Sequence, residues 1–301
     1  MCEKNNEGHQ TNNTLDEKYE NLLNLLKNLK SVVVAFSGGV DSSVVAYAAY
    51  KILGKNAVAV TIDSFVIPRK EIMCAKKIAK EIGISHIVVR AKENKGDENF
   101  ENFLKNPVNR CYFCKKHDIE ILKHILKSLD FNLTKSSEDF VIAKKYNIEA
   151  IADGTNADDL KDTGRFGIKA LREENIISPL AEVGLTKQEI REIAGKIGLT
   201  NAEKPSMACL ASRIPVNEPL TKERLKRIEK AENLISGILR AKRAKNLINI
   251  RVRDHKNIAR LECNAECIEL IIKNRNNIAN ALKNLNYEYV VLDLEGYYKG
   301  I

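Results

Sequence analysis

Ser31-Val-Val-Val-Ala-Phe-Ser-Gly-Gly-Val-Asp-Ser-Ser43 joins a short valine-rich run to a glycine turn, and Ser43 to Leu53 behind it reads as a helix. The run predicts a buried strand. Gly38 and Gly39 allow unusual dihedrals and close approach, and the free N–H groups at the helix start favour a bound anion. Phosphate is the natural occupant. The loop lacks the Gly-Lys-Ser/Thr ending of kinase-type phosphate loops, so it does not suggest γ-phosphate transfer.

Working outward, Leu15, Leu22, Leu23, Leu25, Leu26 and Leu29 fall at helical spacing ahead of the strand. Behind it, Ala57–Ile62 reads as a second strand, Pro68 opens a helix in its first turn, and further strands are expected at His86–Val89 and Ile148–Ala152. Strands alternating with helices of about 10 to 15 residues predict an α/β fold, a parallel sheet with helices on both faces and ligands at the C-terminal strand ends. Asn94–Ser137 reads as an excursion of low regularity, the kind of segment that is commonly functional. Thr186-Lys-Gln-Glu189 is a capping box for a helix stopping near Gly198. The proline-bracketed stretch Glu203–Pro215 reads as a boundary, which predicts domains at 15–203 and 204–301. The second is a smaller α+β unit: a basic helix (Thr221–Lys230), strands at Ile248–Arg253 and Ile258–Glu262, a helix across Ala265–Leu285 and a strand at Tyr287–Leu294.

The 301 residues, 44% apolar, suffice for two cores. Met1–Asn13 is polar and no apolar run approaches the ~18 residues of a membrane span, so a cytoplasmic chain with no membrane partner is expected. Seven cysteines are too sparse for a disulfide scaffold. Residues 221–260 hold 13 Lys or Arg against 4 Asp or Glu, a difference equal to the +9 of the whole chain. That field fits either a solvated helix face or a phosphate- or RNA-binding surface.

Asp153-Gly-Thr-Asn-Ala-Asp-Asp159 follows the fourth strand and faces the first loop across the sheet crevice, which suits nucleotide or magnesium binding through Gly154, Asn156 and Asp158. Cys111-Tyr-Phe-Cys114 is spaced to ligate one metal or cluster, and Cys209 lies in the linker, within reach across the cleft. Three thiolates on a 4Fe–4S cluster leave one iron open for a sulfide. A structural zinc with His117 as fourth ligand, a disulfide and plain buried thiols are the alternatives. Cys2, Cys74, Cys263 and Cys267 read as structural or incidental. Arg251 and Arg253 share a strand face, with Glu262 on the next strand, an arrangement suited to phosphate or carboxylate groups.

The loop resembles the PP-loop of ATP pyrophosphatases, which implies that Ser37, Gly38, Gly39, Asp41 and Ser42 cradle pyrophosphate with Asp41 close to Mg²⁺. Together with Asp153–Asp159, Ser178-Pro-Leu180, Lys204-Pro205, Cys209-Leu-Ala-Ser-Arg213, Arg251-Val-Arg253 and Leu292-Asp-Leu-Glu-Gly-Tyr297, it resembles the LarE family of sulfur transferases from about residue 20 onward. That resemblance implies ATP-dependent adenylation of a carboxylate on a pyridinium dicarboxylate mononucleotide, then displacement of AMP by sulfur to give a thiocarboxylate. By position Cys209 matches the cysteine that surrenders its own sulfur in sacrificial members, and Arg213, Arg251, Arg253 and Glu262 match residues of the substrate or phosphate site. Cys111 and Cys114 depart from that single-cysteine pattern and match members with a three-cysteine 4Fe–4S cluster, so sulfide or another sulfur donor is expected as a partner. A homo-oligomer is also expected. The rival functions are a 4Fe–4S-dependent tRNA thiolase, which would engage the basic stretch, and a nucleotide sensor without chemistry.

Overall fold

The computed structural model describes residues 14–91, 96–128, 150–162, 164–240 and 250–297. Helix α1 (Leu15–Lys27), capped reciprocally by Thr14 and Glu17, leads into β1 (Val32–Ala35), and the glycine turn opens α2 (Val40–Leu53). The helix therefore starts ahead of Ser43 and carries Asp41 and Ser42 in its first turn. After β2 (Ala57–Asp63), α3 (Arg69–Ile82) begins one residue past Pro68, which is its cap.

β1, β2, β3 (Ser85–Arg90) and β4 (Ala150–Ala152) form a parallel sheet in the order β3-β2-β1-β4. The chain walks from β1 out to β3, then returns to place β4 on the other side of β1. That reversal creates a crevice between β1 and β4, where open α/β sheets bind ligands. Val32 and Val34 enter the core formed with α1 and α2, whereas Val33 enters the opposite one with Val58, Val60, Ile151 and Leu122. Burial on both faces explains why β1 is an unbroken apolar run.

The excursion before β4 is more regular than its sequence suggests, for it contains α4 (Glu98–Leu104) and α5 (Arg110–Ser128). Asp97 caps α4 through Oδ1 to the Phe100 amide at 3.0 Å, and Phe100 and Phe103 are buried. Beyond β4 come α6 (Phe166–Glu173), α7 (Pro179–Glu182) and α8 (Lys187–Lys196), the last capped by Thr186 and Glu189 as expected.

A second sheet pairs β5 (Ile250–His255) with β6 (Ile258–Cys263) antiparallel, and β6 with β7 (Tyr289–Leu292) parallel. Its core packs against α9 (Lys222–Arg240), α10 (Ala265–Lys273) and α11 (Arg275–Lys283). The expected single helix over 265–285 is thus two. They part at Asn274, whose side-chain amide bonds the Leu270 carbonyl at 2.8 Å and competes with the backbone ladder.

A further apolar cluster joins Val66, Phe100 and Phe103 to Leu210, Ala211, Ile214, Leu225 and Ile228. It fastens the linker to the β2–α3 turn, with Leu210 N–H bonded to the Val66 carbonyl at 2.8 Å. Cys209 and Cys114 both pack against this cluster. Among the described residues no helix is long and apolar enough to cross a membrane.

Candidate functional site

The glycine loop is shaped by its own hydroxyls. Ser37 Oγ lies 3.1 Å from Ser42 Oγ, and the Gly39 carbonyl accepts from Ser43 Oγ at 2.8 Å and Ser42 Oγ at 3.2 Å. Gly38 has φ +70°, and a Cβ there would stand 2.6 Å from Ala75 Cα. The loop therefore lies directly on α3, and only glycine fits. A Cβ on Gly154 would stand 2.8 Å from the Ser42 amide nitrogen, so the loop after β4 presses on the first turn of α2. Gly154→Ala must push that turn away, and ATP binding measured by calorimetry is expected to weaken by roughly tenfold or more, the scale of one lost hydrogen bond to a charged group.

Asp41 is reached from two sides. The Lys187 ammonium forms an ion pair with Oδ2, and Asn156 Nδ2 donates to Oδ1 at 3.3 Å. Asn156 Oδ1 in turn accepts the amides of Asp158 and Asp159, each at 3.0 Å. Asp158 Oδ2 accepts the Lys187 amide at 2.9 Å, a bond that with Lys161 holds its pKa below the ordinary carboxylate range. The Asp153 segment is thereby tied to the start of α8. Asp153 itself is buried, accepting from Thr155 and Ser178. Lys187 was not among the residues expected from sequence, because its position inside a capping box already accounted for it.

Cys111 and Cys114 sit in the first two turns of α5, and no disulfide joins them to each other or to Cys209. Burial raises the Cys111 pKa, followed by the repulsion of Cys209. Cys114 is pushed well up by burial, then by Asp118 and Cys209. Cys209 thus lies near enough to both helix cysteines to oppose their ionisation unless a cation stands among them. Half-buried Lys115 has Asp153, Asp118 and both helix cysteines around it, which outweigh burial and raise its pKa. Its charge is felt by both helix cysteines and by Asp153 of the β4 loop. His117, the zinc-ligand alternative, bonds Asp97 Oδ2 through Nδ1 at 2.6 Å, and groups with Asp97 and Glu120 at single-ion spacing.

The arginines divide. Arg213 is 1% exposed and donates to Glu232 Oε1 at 2.9 Å and to the carbonyls of Ala208 and Cys209 at 3.0 and 3.1 Å. Arg253 bonds the Ser212 carbonyl and, at 2.8 Å, Glu262 Oε1. Both grip the turn that carries Cys209. Arg251 instead stacks its guanidinium 4.2 Å over the Tyr297 ring, and burial plus the nearby Arg213 lowers its pKa. Glu262 Oε1 also accepts from Arg260 at 2.9 Å, while its Oε2 is buried without a hydrogen-bond partner. On the basic helix, Arg224 and Arg227 turn inward onto buried Asp254, which also takes the Tyr287 hydroxyl. Part of the basic stretch is consequently spent on packing α9 against β5.

Residues 14–109 match the family model for NAD synthase. An uncharacterized protein of Synechocystis sp. is 36% identical over 95% of this chain and 97% of its own length. The pyridinium-3,5-bisthiocarboxylic acid mononucleotide synthase of Lactiplantibacillus plantarum is 30% identical over 95% of this chain and 94% of its own. A tRNA-specific 2-thiouridylase of Rickettsia africae is 29% identical over 61% of this chain and 54% of its own.

Proposed function

Because this chain belongs to the LarE family of PP-loop sulfur transferases, we propose that its ATP-dependent sulfur transfer adenylates a carboxylate of a pyridinium dicarboxylate mononucleotide and replaces the AMP by sulfur. Two observations support this reading: a glycine loop at the β1–β4 crevice that is shaped to take a phosphate, and three free thiols of which Cys209 lies near enough to act on both Cys111 and Cys114. Ser37, Gly38, Gly39 and Ser42 present hydroxyls and amides to the pyrophosphate, with Gly154 and Asn156 closing the crevice from β4. Asp41 is the carboxylate available to Mg²⁺, and Lys187, once released from it, supplies charge to the phosphates. Asp158 holds Lys187 in place through its backbone. Arg251 is the cation open to an anionic substrate group, with Arg213, Arg253 and Glu262 fixing the turn beneath it.

The donor set fits a 4Fe–4S cluster: three free thiols are available, and the penalty on ionising Cys111 and Cys114 is offset when a cationic cluster binds them. Cys111, Cys114 and Cys209 would hold it, and it would supply an open iron that accepts external sulfide, so that Cys209 keeps its own sulfur. Anaerobic reconstitution is expected to give about four irons per chain with a thiolate-to-iron visible band. A triple Cys→Ala variant that still bound the iron would refute this ligand set. Sacrifice of Cys209 is the alternative source, and the likeness to tRNA thiolases keeps tRNA as a rival acceptor. The inward commitment of Arg224 and Arg227 favours the small nucleotide over tRNA. A smaller domain over 204–301, a homo-oligomer and a cytoplasmic setting complete the proposal.

A further inference from the structure

Residues 201–204 run along the underside of the phosphate loop. Asn201 Nδ2 donates to the Gly38 carbonyl at 3.1 Å and to Ser43 Oγ at 2.9 Å. Arg191 holds the same segment from α8, donating to the carbonyls of Ala202 at 2.7 Å and Lys204 at 3.1 Å. The Lys204 ammonium then crosses to α3, where it meets Glu71 Oε2 at 2.5 Å and Cys74 Sγ at 3.1 Å. Cys74 Sγ is itself 4.0 Å from the Gly38 carbonyl. Burial works against the ammonium, but Glu71 and Cys74 outweigh it and raise its pKa, so the cation persists through the neutral range.

The next anchors on the chain are the Ala208 and Cys209 carbonyls, both held by Arg213. Between Lys204 and those carbonyls lie Pro205, Ser206 and Met207. At ~3.3–3.6 Å of reach per residue, so short a span limits how far Cys209 can move from Lys204, and its two anchors together restrict where Cys209 stands. One anchor belongs to the substrate-facing turn. The other is referenced, through Glu71 and Cys74, to the helix on which the phosphate loop rests.

We propose that Lys204 is a positioning residue, whose bridge to Glu71 and Cys74 keeps the Cys209 span in register with the phosphate loop. Resting on the two-step reading above, the bridge acts on the second step: the acyl adenylate made at the loop must meet sulfur at the Cys209 site, and a displacement of about 1 Å between reacting groups can cost about a hundredfold in rate. Adenylation needs no such register, since Lys204 contacts none of the loop's anion-facing hydroxyls.

The test compares Lys204→Met, Lys204→Arg and Glu71→Gln with the parent chain by two activity readouts and one that needs no activity. The first two are carboxylate-dependent ATP–pyrophosphate exchange and formation of thiolated product. The third is the rate at which iodoacetamide alkylates Cys209 in iron-free protein, followed by peptide mass spectrometry. Lys204→Met and Glu71→Gln are expected to keep exchange within about threefold while thiolation falls at least about tenfold. Cys209 should alkylate severalfold faster in both, and Lys204→Arg, which still reaches Glu71, should restore the parent values. Parallel loss of exchange and thiolation, or an unchanged alkylation rate, overturns the proposal. A parent chain without carboxylate-dependent exchange would refute the adenylation reading instead, and alkylation would still decide the role of Lys204.

Discussion

Cys209→Ala is expected to reduce thiocarboxylate formation by at least about 10³-fold while carboxylate-dependent ATP–pyrophosphate exchange stays within about threefold of the parent. The asymmetry follows from where the residue stands. Cys209 is held by Arg213 and by the apolar cluster around Val66 and Leu210, and its neighbours are the α5 cysteines. None of the hydroxyls or amides that shape the phosphate loop comes from its segment. On the proposed roles, removing the thiol takes away sulfur delivery and leaves the nucleotide cradle intact. Both half-reactions are read on one preparation by isotope exchange and by mass detection of product. Equal losses in the two would place Cys209 in adenylation and contradict the account.

Lys187→Ala is expected to produce the opposite pattern, lowering exchange itself by roughly 10²–10³-fold, as removal of a fixed charge from a developing anion does elsewhere. Lys187 is the ammonium paired with Asp41 at the first turn of α2, and its amide is fixed by Asp158. Among the described residues the variant leaves Asp41 with Asn156 as its side-chain partner, so in the proposed site magnesium–ATP would meet an unbalanced carboxylate and the phosphates would lose a cation. In the proposed two-step reaction thiolation falls in step, because it consumes the adenylate. Lys187→Arg keeps the charge and should recover part of the exchange rate. Exchange unchanged in Lys187→Ala would reduce this lysine to a surface ion pair.

The sequence revealed the crevice more readily than its occupants. Val32–Ala35 followed by two glycines could be read because a strand buried on both faces must be apolar throughout, and a helix start beside glycine has one common use. Cys111, Cys114 and Cys209 were recognisable by residue type alone, and their proximity needed the fold, since the cluster of Val66, Phe100 and Leu210 folds the linker back onto α5. The helix α5 was missed because Cys, Lys and His fill the turns ahead of Ile119 and Leu122, and α4 because its seven residues are too few to show a helical period. Lys187 carried no signal and Lys204 only that of a matching motif, because a lysine on a helix cap or in a linker is ordinary until its partner is known. Nor does sequence separate Arg213 and Arg253, spent on carbonyls and carboxylates, from Arg251, which is open on its Tyr297 platform.

The central claim is that ATP energy is spent on a carboxylate so that external sulfur can be placed there repeatedly. Its most direct test is a mass-spectrometric count of thiolated nucleotide per chain. The reconstituted protein would be incubated anaerobically with ATP, Mg²⁺, sulfide and the pyridinium dicarboxylate mononucleotide, and the mass of the Cys209 peptide read in the same samples. The account predicts several thiocarboxylates per chain, AMP formed in step with them, and a Cys209 peptide of unchanged mass. A yield capped at one per chain, with that peptide lighter by one H₂S, would contradict it.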